Sequence, residues 1–510
     1  MNLLTDHLLT WILFVPTIGA ALLLFMPGGK VKFIRIASLV ISIIPLLLTL
    51  YLWSGYQAPG QGSFRFEENY PWFTAINSSY HLGIDGVSLA MLLLTTILTP
   101  LAILTSFNIK ERVKAFMILF LVLETGMLGV FMSLDLLLFF LFWEIGLVPM
   151  YFLINQWGGE KRNYASLKFI LFTMGGSLGL LLAIQLIGVI SGTFDLVSIT
   201  QSWPAITEGV MFGIPVATVK AIAFWAFVIA FAVKVPVWPF HTWLPDAHTE
   251  APTGGSMILA GVLLKLGAYG FIRLVLPLFP QESAHFAGWL AALATAAIVF
   301  GALAAAAQKD FKRLVAYSSI NHMGFVVLGI AAAAWAAVNG NPAIRESAVI
   351  ALNGSVLQMF NHGLSAAGMF FLVGVLYDRA HTRKLEDFGG LYAILPIYGA
   401  ILIFTSMASL GLPGLNGFVS EFMIVRGVWP IFTLWIALGM IGLLFTGVYV
   451  LKALKLTLHG PLNEKWSGKL SEINLRELWV IVPLMVLMLS IGLWPAWILN
   501  LINSTVMTWF

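Results

Sequence analysis

Seven ionisable side chains stand inside long apolar runs: Glu124, Glu144, Lys234, Lys265, His322, His362 and Glu421. A charge at the centre of a bilayer costs about 2.5–3.5 kcal/mol even on lenient insertion scales, so such residues mark ion or proton pathways. Glu144 sits in LLLFFLFWEIGLVPMYFLI, apolar on both sides. Lys234 and Lys265 each lie midway along an apolar run. Glutamate titrates low, histidine near neutrality and lysine high, so together they could hand a proton from one to the next. His322 and His362 each follow an asparagine. Two histidines between acidic and basic partners read as relay members, with His362 as an accessory. Glu421 follows a second Gly/Pro-rich stretch and reads as a further intramembrane acid, the alternative being an interfacial glutamate near the outer end of its helix. Glu124 is an accessory: it either lines the Glu144 site or packs.

The elements that hold these groups are interrupted. Pro236 and Pro239 follow Lys234 closely. Each removes a backbone donor and clashes with the preceding turn. The polar hinge HTWLPDAHTEAPTGG comes next, and a second break is expected at Pro413 in SLGLPGLNGFVSEF. Broken backbone in a membrane survives only where protein or trapped water satisfies it. His241, Asp246, His248 and Glu250 have the composition of a metal cluster, but their spacing matches no zinc pattern. The hinge accounts for them, and no metal site is expected. Removing water from a lysine favours its neutral form, whereas a carboxylate nearby favours the charged form. Lys234 with Glu144 could therefore take and release a proton as that carboxylate's influence changes. Arg273, about two turns beyond Lys265, is the residue expected to snorkel outwards.

The 510 residues are 60% hydrophobic and 10% charged, against about 25% charged in soluble domains. The fold class is an all-α polytopic membrane protein. Runs long enough to span fall near residues 8–27, 34–53, 85–107, 114–133, 135–156, 164–190 and 218–239. Others fall near 252–277, 286–307, 313–337, 347–376, 394–425, 430–457 and 477–500, making 14 transmembrane helices. Asp6 precedes the first run and Lys30, Lys32 and Arg35 follow it, the reverse of a secretory signal. With that start outside, most of the 27 Lys and Arg fall on inside loops, and both termini lie outside. The outer stretch GYQAPGQGSFRFEENYPWF is expected to be an ordered cap. The net charge of +4 fits loop basicity and no nucleic-acid footprint. The absence of cysteine excludes disulfides and cysteine-held clusters in this chain.

Pro413 follows Pro236, and His322 follows Glu144, at nearly the same offset. That hints at two inverted five-helix repeats, helices 4–8 and 9–13, with broken helices 7 and 12. The chain then divides into 1–113 (helices 1–3), 114–277 (first repeat), 286–458 (second repeat) and 475–510 (helix 14).

FFLFWEIGLVPMYFLI, AFAVKVPVWPFHTWLPDAHTEAPTGGSMILAGVLLKLGAYGFIRLVLPLFP, DFKRLVAYSSINHMGF, NHGLSAAGMF and GLPGLNGFVSEFMI resemble the antiporter-like membrane subunits of respiratory complex I, a NADH-quinone oxidoreductase. Within these the likeness is to the subunit M, or ND4, type. It covers nearly the whole chain from helix 4 to helix 13, and is weak in the first hundred residues and the outer loops. The resemblance implies an input-side pair at Glu144 and Lys234, a central relay at Lys265 and His322, and an output end at Glu421. It implies a non-redox subunit of a proton-translocating enzyme, not catalytic alone. NADH, FMN, iron-sulfur clusters and quinone are expected in other subunits, and no cofactor is expected here. The implied partners are the other membrane subunits of complex I, especially those of the ND5 (L) and ND2 (N) types, and the lipid bilayer. The implied location is a bacterial plasma (inner) membrane.

The same-fold alternatives are an Mrp-type sodium/proton antiporter and a membrane-bound hydrogenase subunit. Sodium would want clustered carboxylates and carbonyls, and only lone carboxylates are visible, which favours protons. A membrane scaffold without transport would let leucine replace the buried lysines at no cost. For the relay itself, no side chain is expected to reach its neighbour across a ~30 Å hydrocarbon layer, so water should lie between all of them.

Overall fold

A computed structural model describes residues 6–57 and 64–510. Its architecture follows from where apolar runs meet capping residues. α1 (Leu8–Leu24) and α2 (Val31–Ser54) come first. A hairpin of β1 (Arg65–Phe73) and β2 (Ser78–Ile84) follows, paired antiparallel. The hairpin forms the described part of the expected cap; residues 58–63 of that stretch lie outside the described residues. α3 (Gly86–Thr105) starts at Asp85, whose carboxylate accepts from Ser88 N. α4 (Val113–Met132) precedes α5 (Leu136–Trp157), which Asp135 caps through Leu137 N and Leu138 N. Asp135 also accepts from Ser78 Oγ and Ser79 N, tying the hairpin to that helix end. Such caps satisfy amide groups that a helix start leaves without partners.

α6 (Arg162–Ser191) and the short α7 (Leu196–Ala205) lead to α8 (Val216–Lys234). Helical structure stops there and resumes at α9 (Trp243–Glu250). This interruption contains Pro236 and Pro239, as the sequence predicts. The carbonyl of Val233 accepts from the Trp243 indole at 2.8 Å, so protein covers part of the opened backbone. α10 (Thr253–Leu278) contains two π-helical turns, Leu259–Leu263 and Phe271–Val275. α11 (Pro280–Ala307), α12 (Phe311–Asn339) and α13 (Pro342–Ala380) are long and continuous. The second interruption separates α14 (Pro396–Leu410) from α15 (Asn416–Val428) and contains Pro413. Gly411 turns the chain there with φ +84°, a conformation that costs a side-chain-bearing residue most. α16 (Thr433–Leu458), α17 (Leu475–Leu493) and the short α18 (Ala496–Val506) complete the chain. The last was not expected.

Twelve of the described helices are long and apolar enough to cross a membrane, and α1 and α14 are shorter apolar helices. Burial separates an inner set from a lipid-facing set. The most apolar windows of α10 and α13 are 100% buried, against 28% for α2. The two innermost helices therefore carry Lys265 and His362. At 39 residues α13 is about 58 Å long, beyond the ~30 Å hydrocarbon layer. Its last turns, with Asp378 and Arg379, reach the face where the basic loops gather.

Arg273 departs from expectation. It is 5% exposed and does not snorkel. Its guanidinium lies 2.5 Å from Asp85, and it also donates to Tyr269 OH and Ser88 Oγ. The start of α3 brings a carboxylate to it that linear sequence places far away.

Candidate functional site

Lys234 occupies the last turn of α8, where the helix breaks. It is 3% exposed, and its ammonium sits 4.9 Å from the Trp143 ring centroid. The indole is held by a hydrogen bond from Nε1 to Ser177 Oγ at 3.0 Å. An aromatic face stabilises a cation without neutralising it. Glu144 is next in sequence to Trp143 on α5, whose ring meets the Lys234 ammonium. Glu144 is half-buried, and its Oε1 is buried without a hydrogen-bond partner among the described residues. Glu124 is fully buried on α4, and neither of its oxygens has such a partner.

α10 packs directly on this break. A Cβ at Gly267 would lie 2.8 Å from Phe231 O and 3.0 Å from Lys234 Cβ, so only glycine permits the approach. Lys265, two residues earlier, is fully buried. Its Nζ donates to Ala260 O inside the first π turn. π turns release carbonyls from the regular ladder and recur at functional sites. Lys265 Nζ also lies 2.7 Å from His362 Nδ1 on α13. A proton at this contact can reside on the amine or on the imidazole.

His362 therefore has a place that sequence reasoning assigned only to an accessory. Its ring centroid is 5.6 Å from that of His322 on α12. His362 Nε2 is buried without a partner among the described residues. His322 Nδ1 is 2.7 Å from Glu421 Oε1 on α15, and its Nε2 is 3.3 Å from Tyr449 OH. Lys265, His362, His322 and Glu421 thus form one buried run. The expectation that water separates every member needs correction, because two of the three steps are direct contacts. Buried polar groups seek one another when bringing helices together costs less than leaving them unsatisfied.

Several residues that sequence reasoning missed hold the far end in place. Gln358 Nε2 donates to Glu421 Oε1 at 2.9 Å, and Ser420 Oγ donates to Gln358 Oε1 at 2.5 Å. Asn361 Nδ2 donates to Asn416 O at 2.7 Å and to Ser420 Oγ at 2.9 Å. Asn416 Nδ2 donates back to Asn361 O at 3.1 Å. These bonds stitch α13 to the start of α15. Asn321 Nδ2 donates to Thr446 Oγ1 at 2.6 Å and fixes α12 against α16. The only linear hint was spacing: Gln358 and His362 are four residues apart, hence on one helix face.

Away from the run, His81 on β2 stands between Asp195 at 2.7 Å and Glu67 at 3.1 Å. Burial alone would lower its pKa, but the two carboxylates outweigh it and raise the pKa above the ordinary value. Among the described residues no group of His, Asp and Glu is arranged to hold a metal ion.

The chain is similar to known proteins over nearly its whole length. The family model described as NADH:quinone oxidoreductase/Mrp antiporter, TM, matches residues 133–446. NADH-quinone oxidoreductase subunit M of Rhodobacter capsulatus is 38% identical, over 98% of this chain and 96% of the relative. NADH-ubiquinone oxidoreductase chain 4 of Chondrus crispus is 37% identical, over 99% and 97%. A chain of respiratory complex I from Thermus thermophilus with bound NADH superposes with a TM-score of 0.84 at 27% identity, covering 98% of this chain and all of that one. A chain of the Mrp complex from Dietzia sp. DQ12-45-1b shares the fold, with a TM-score of 0.79 at 22% identity over 98% of this chain and 52% of that one. The full-length match, the antiporter-like fold and the buried charges agree: the chain belongs to the antiporter-like membrane subunits of complex I, the subunit M or ND4 family of NADH-quinone oxidoreductases.

Proposed function

We propose that this chain moves protons across the membrane through Glu144, Lys234, Lys265, His362, His322 and Glu421, driven by quinone reduction elsewhere in the complex. The observation that carries this reading is the buried run Lys265–His362–His322–Glu421. Each imidazole can accept a proton on one ring nitrogen and release one from the other. A proton passed from Lys265 to His362 Nδ1 leaves from Nε2, where one water suffices to reach His322. His322 then hands a proton to Glu421. At the other end, a change in the charge of Glu144 alters the balance at Lys234, on which α10 packs closely at Gly267.

The finer parts of the reading form one scheme. Fourteen spans, counting α1 and the broken pairs α8–α9 and α14–α15, give inverted units over 114–277 and 286–458. Residues 1–113 and 475–510 flank them. Both termini face outwards from a bacterial plasma membrane, with the basic loops inside. The chain is not catalytic alone. NADH, FMN, iron-sulfur clusters and quinone belong to other subunits, and subunits of the ND5 (L) and ND2 (N) types are its neighbours.

Protons are favoured over sodium by what surrounds Glu421. Its Oε1 meets nitrogens of His322 and Gln358, whereas a hard cation wants a shell of oxygens. The test is Lys265→Ala in assembled complex in membrane vesicles. Proton uptake per NADH oxidised should fall strongly. Uptake equal to wild type would refute the relay.

A further inference from the structure

A cavity of about 310 Å³ lies where α10, α11, α12 and α13 part, at the ends of α10 and α12 that face away from the basic loops. Its wall is made by Ile272 and Leu276 of α10, Ala334 of α12 and Leu352 of α13, together with Trp509 and Phe510. The hydroxyl of Ser283, also in the wall, is turned to Val275 O at 3.4 Å. Such a wall offers water little to bond, and apolar cavities of this kind stay dry. A pocket of this size holds small organic ligands. At the flank of a membrane-spanning chain, the apolar molecule at hand to fill it is a lipid chain.

A charge marks the rim. Arg345 stands in the first turn of α13, and its guanidinium donates to Ala337 O at 3.5 Å. Ala337 lines the cavity and is exposed, so the guanidinium sits at the cavity mouth. Arg345 Nε is buried without a hydrogen-bond partner among the described residues. An N–H cut off from water and left without an acceptor is costly, and the guanidinium fork matches phosphate oxygens. Exposed Glu346 follows it, a carboxylate that suits a headgroup carrying an amine beyond its phosphate. Arg345 and Leu352 are seven residues apart on one helix, about 10 Å along its axis. A cation at the mouth and an apolar space a few turns deeper have the spacing of a phosphate and the acyl chain beneath it. Trp509, the ring in this wall, is a residue type enriched at the level of lipid headgroups.

We infer that this cavity is a phospholipid site, with one acyl chain between α10, α12 and α13 and the phosphate on Arg345. The site adds a ligand to the chain and takes no part in proton transfer. Its position gives it a structural task, because the same three helices carry Lys265, His322 and His362. A chain lodged between their ends fills a gap that packing leaves open.

The experiment uses the whole complex in vesicles of phosphatidylethanolamine and phosphatidylglycerol. A trace of phosphatidylethanolamine carries a photoactivatable carbene precursor midway along one acyl chain. After illumination the labelled residues are mapped, and label on the cavity wall is divided by total label on the complex. Ile272, Leu276, Ala334 or Leu352 should be labelled in wild type, and an unlabelled wall overturns the site. Arg345→Gln should lower wall labelling about fivefold, the loss expected for one charge-assisted hydrogen bond at a surface. Wild-type labelling in that variant overturns the phosphate contact and with it the proposal. Ala337→Trp narrows the mouth while keeping the carbonyl that Arg345 meets, and wall labelling should fall by more than half. Undiminished labelling there overturns entry by this mouth, and should the variant not assemble, Arg345→Gln decides. A diacylglycerol with the same photoactivatable chain and no phosphate separates a headgroup site from mere wetting by hydrocarbon. It should label the wall less than the phospholipid does, and equal labelling overturns the proposal. Pumping is not read in any arm, so the result is independent of the relay.

Discussion

His322 and Glu421 meet at 2.7 Å although they sit on different helices and 99 residues apart. The second carboxylate oxygen of Glu421 has no hydrogen-bond partner among the described residues and faces Gly411 at the break. One oxygen is thus tied to the relay, and the other faces the interruption that should release the proton. Glu421→Gln preserves shape and a hydrogen bond but cannot carry the charge. Proton pumping per NADH should drop with the complex assembled. Undiminished pumping would remove Glu421 from the relay.

At the opposite end, Glu144→Gln and Lys234→Ala should each leave the complex assembled and strongly lower pumping. The Trp143 ring contributes about 0.5–2 kcal/mol to holding the Lys234 cation. Trp143→Leu should therefore weaken pumping less than loss of either charge. Equal pumping in Glu144→Gln and wild-type vesicles of matched subunit content would exclude the acid.

Lys265 allows a sharper comparison. Lys265→Ala removes the proton carrier. Lys265→Arg keeps a permanent charge, so it should block release and be at least as harmful. Normal pumping by the arginine variant would mean that Lys265 acts as a fixed positive charge and never deprotonates.

The Arg273–Asp85 pair should matter for stability and not for transport. Removing one partner of a buried pair costs about 3–5 kcal/mol, because the other charge is left uncompensated. Asp85→Leu should reduce the amount of complex surviving mild heating in detergent. Double replacement by Arg273→Met and Asp85→Leu should recover much of the loss. A single variant as heat-resistant as wild type would show that Arg273 finds another partner.

His81 gives the hairpin a pH dependence of defined sign. Its pKa in the fold is raised above 6.5 by Asp195 and Glu67, against the lowering effect of burial. The pair contribution is therefore fully present below the unfolded pKa of about 6.5 and is lost as pH rises through the folded value. Amide protection in Arg65–Ile84, with the intrinsic base-catalysed rate divided out, should fall on the alkaline side and lose that step in His81→Gln. A pH-independent hairpin would rule the linkage out.

The charges and the breaks were legible in sequence because each is a local anomaly. Lys234, Lys265 and Glu144 interrupt apolar runs, and Pro236 and Pro413 interrupt helices. The central position of His362 was not legible, since it depends on which face of α13 meets α10 and α12. The same holds for Gln358, Ser420 and Asn416, polar residues whose partners come from another helix. Arg273 was misread because its distance from the helix middle suggested escape to water, while its partner Asp85 caps a helix nearly two hundred residues earlier. The π turns around Lys265 carry no composition signature. They show only when the lysine is found bonded to a carbonyl five residues back.

Lys265 lies at the middle of α10 and His362 at the middle of α13, with Lys234 and Glu421 at breaks within their own spans. A membrane voltage does work on a charge only along the membrane normal, about 2.3 kcal/mol per elementary charge per 100 mV. Steps between side chains at one depth cross almost none of that field. Passage along the seam is then nearly independent of voltage, and the electrical work is concentrated where protons enter and leave it. Raising the membrane potential should slow uptake and release while leaving exchange among the central four residues unchanged.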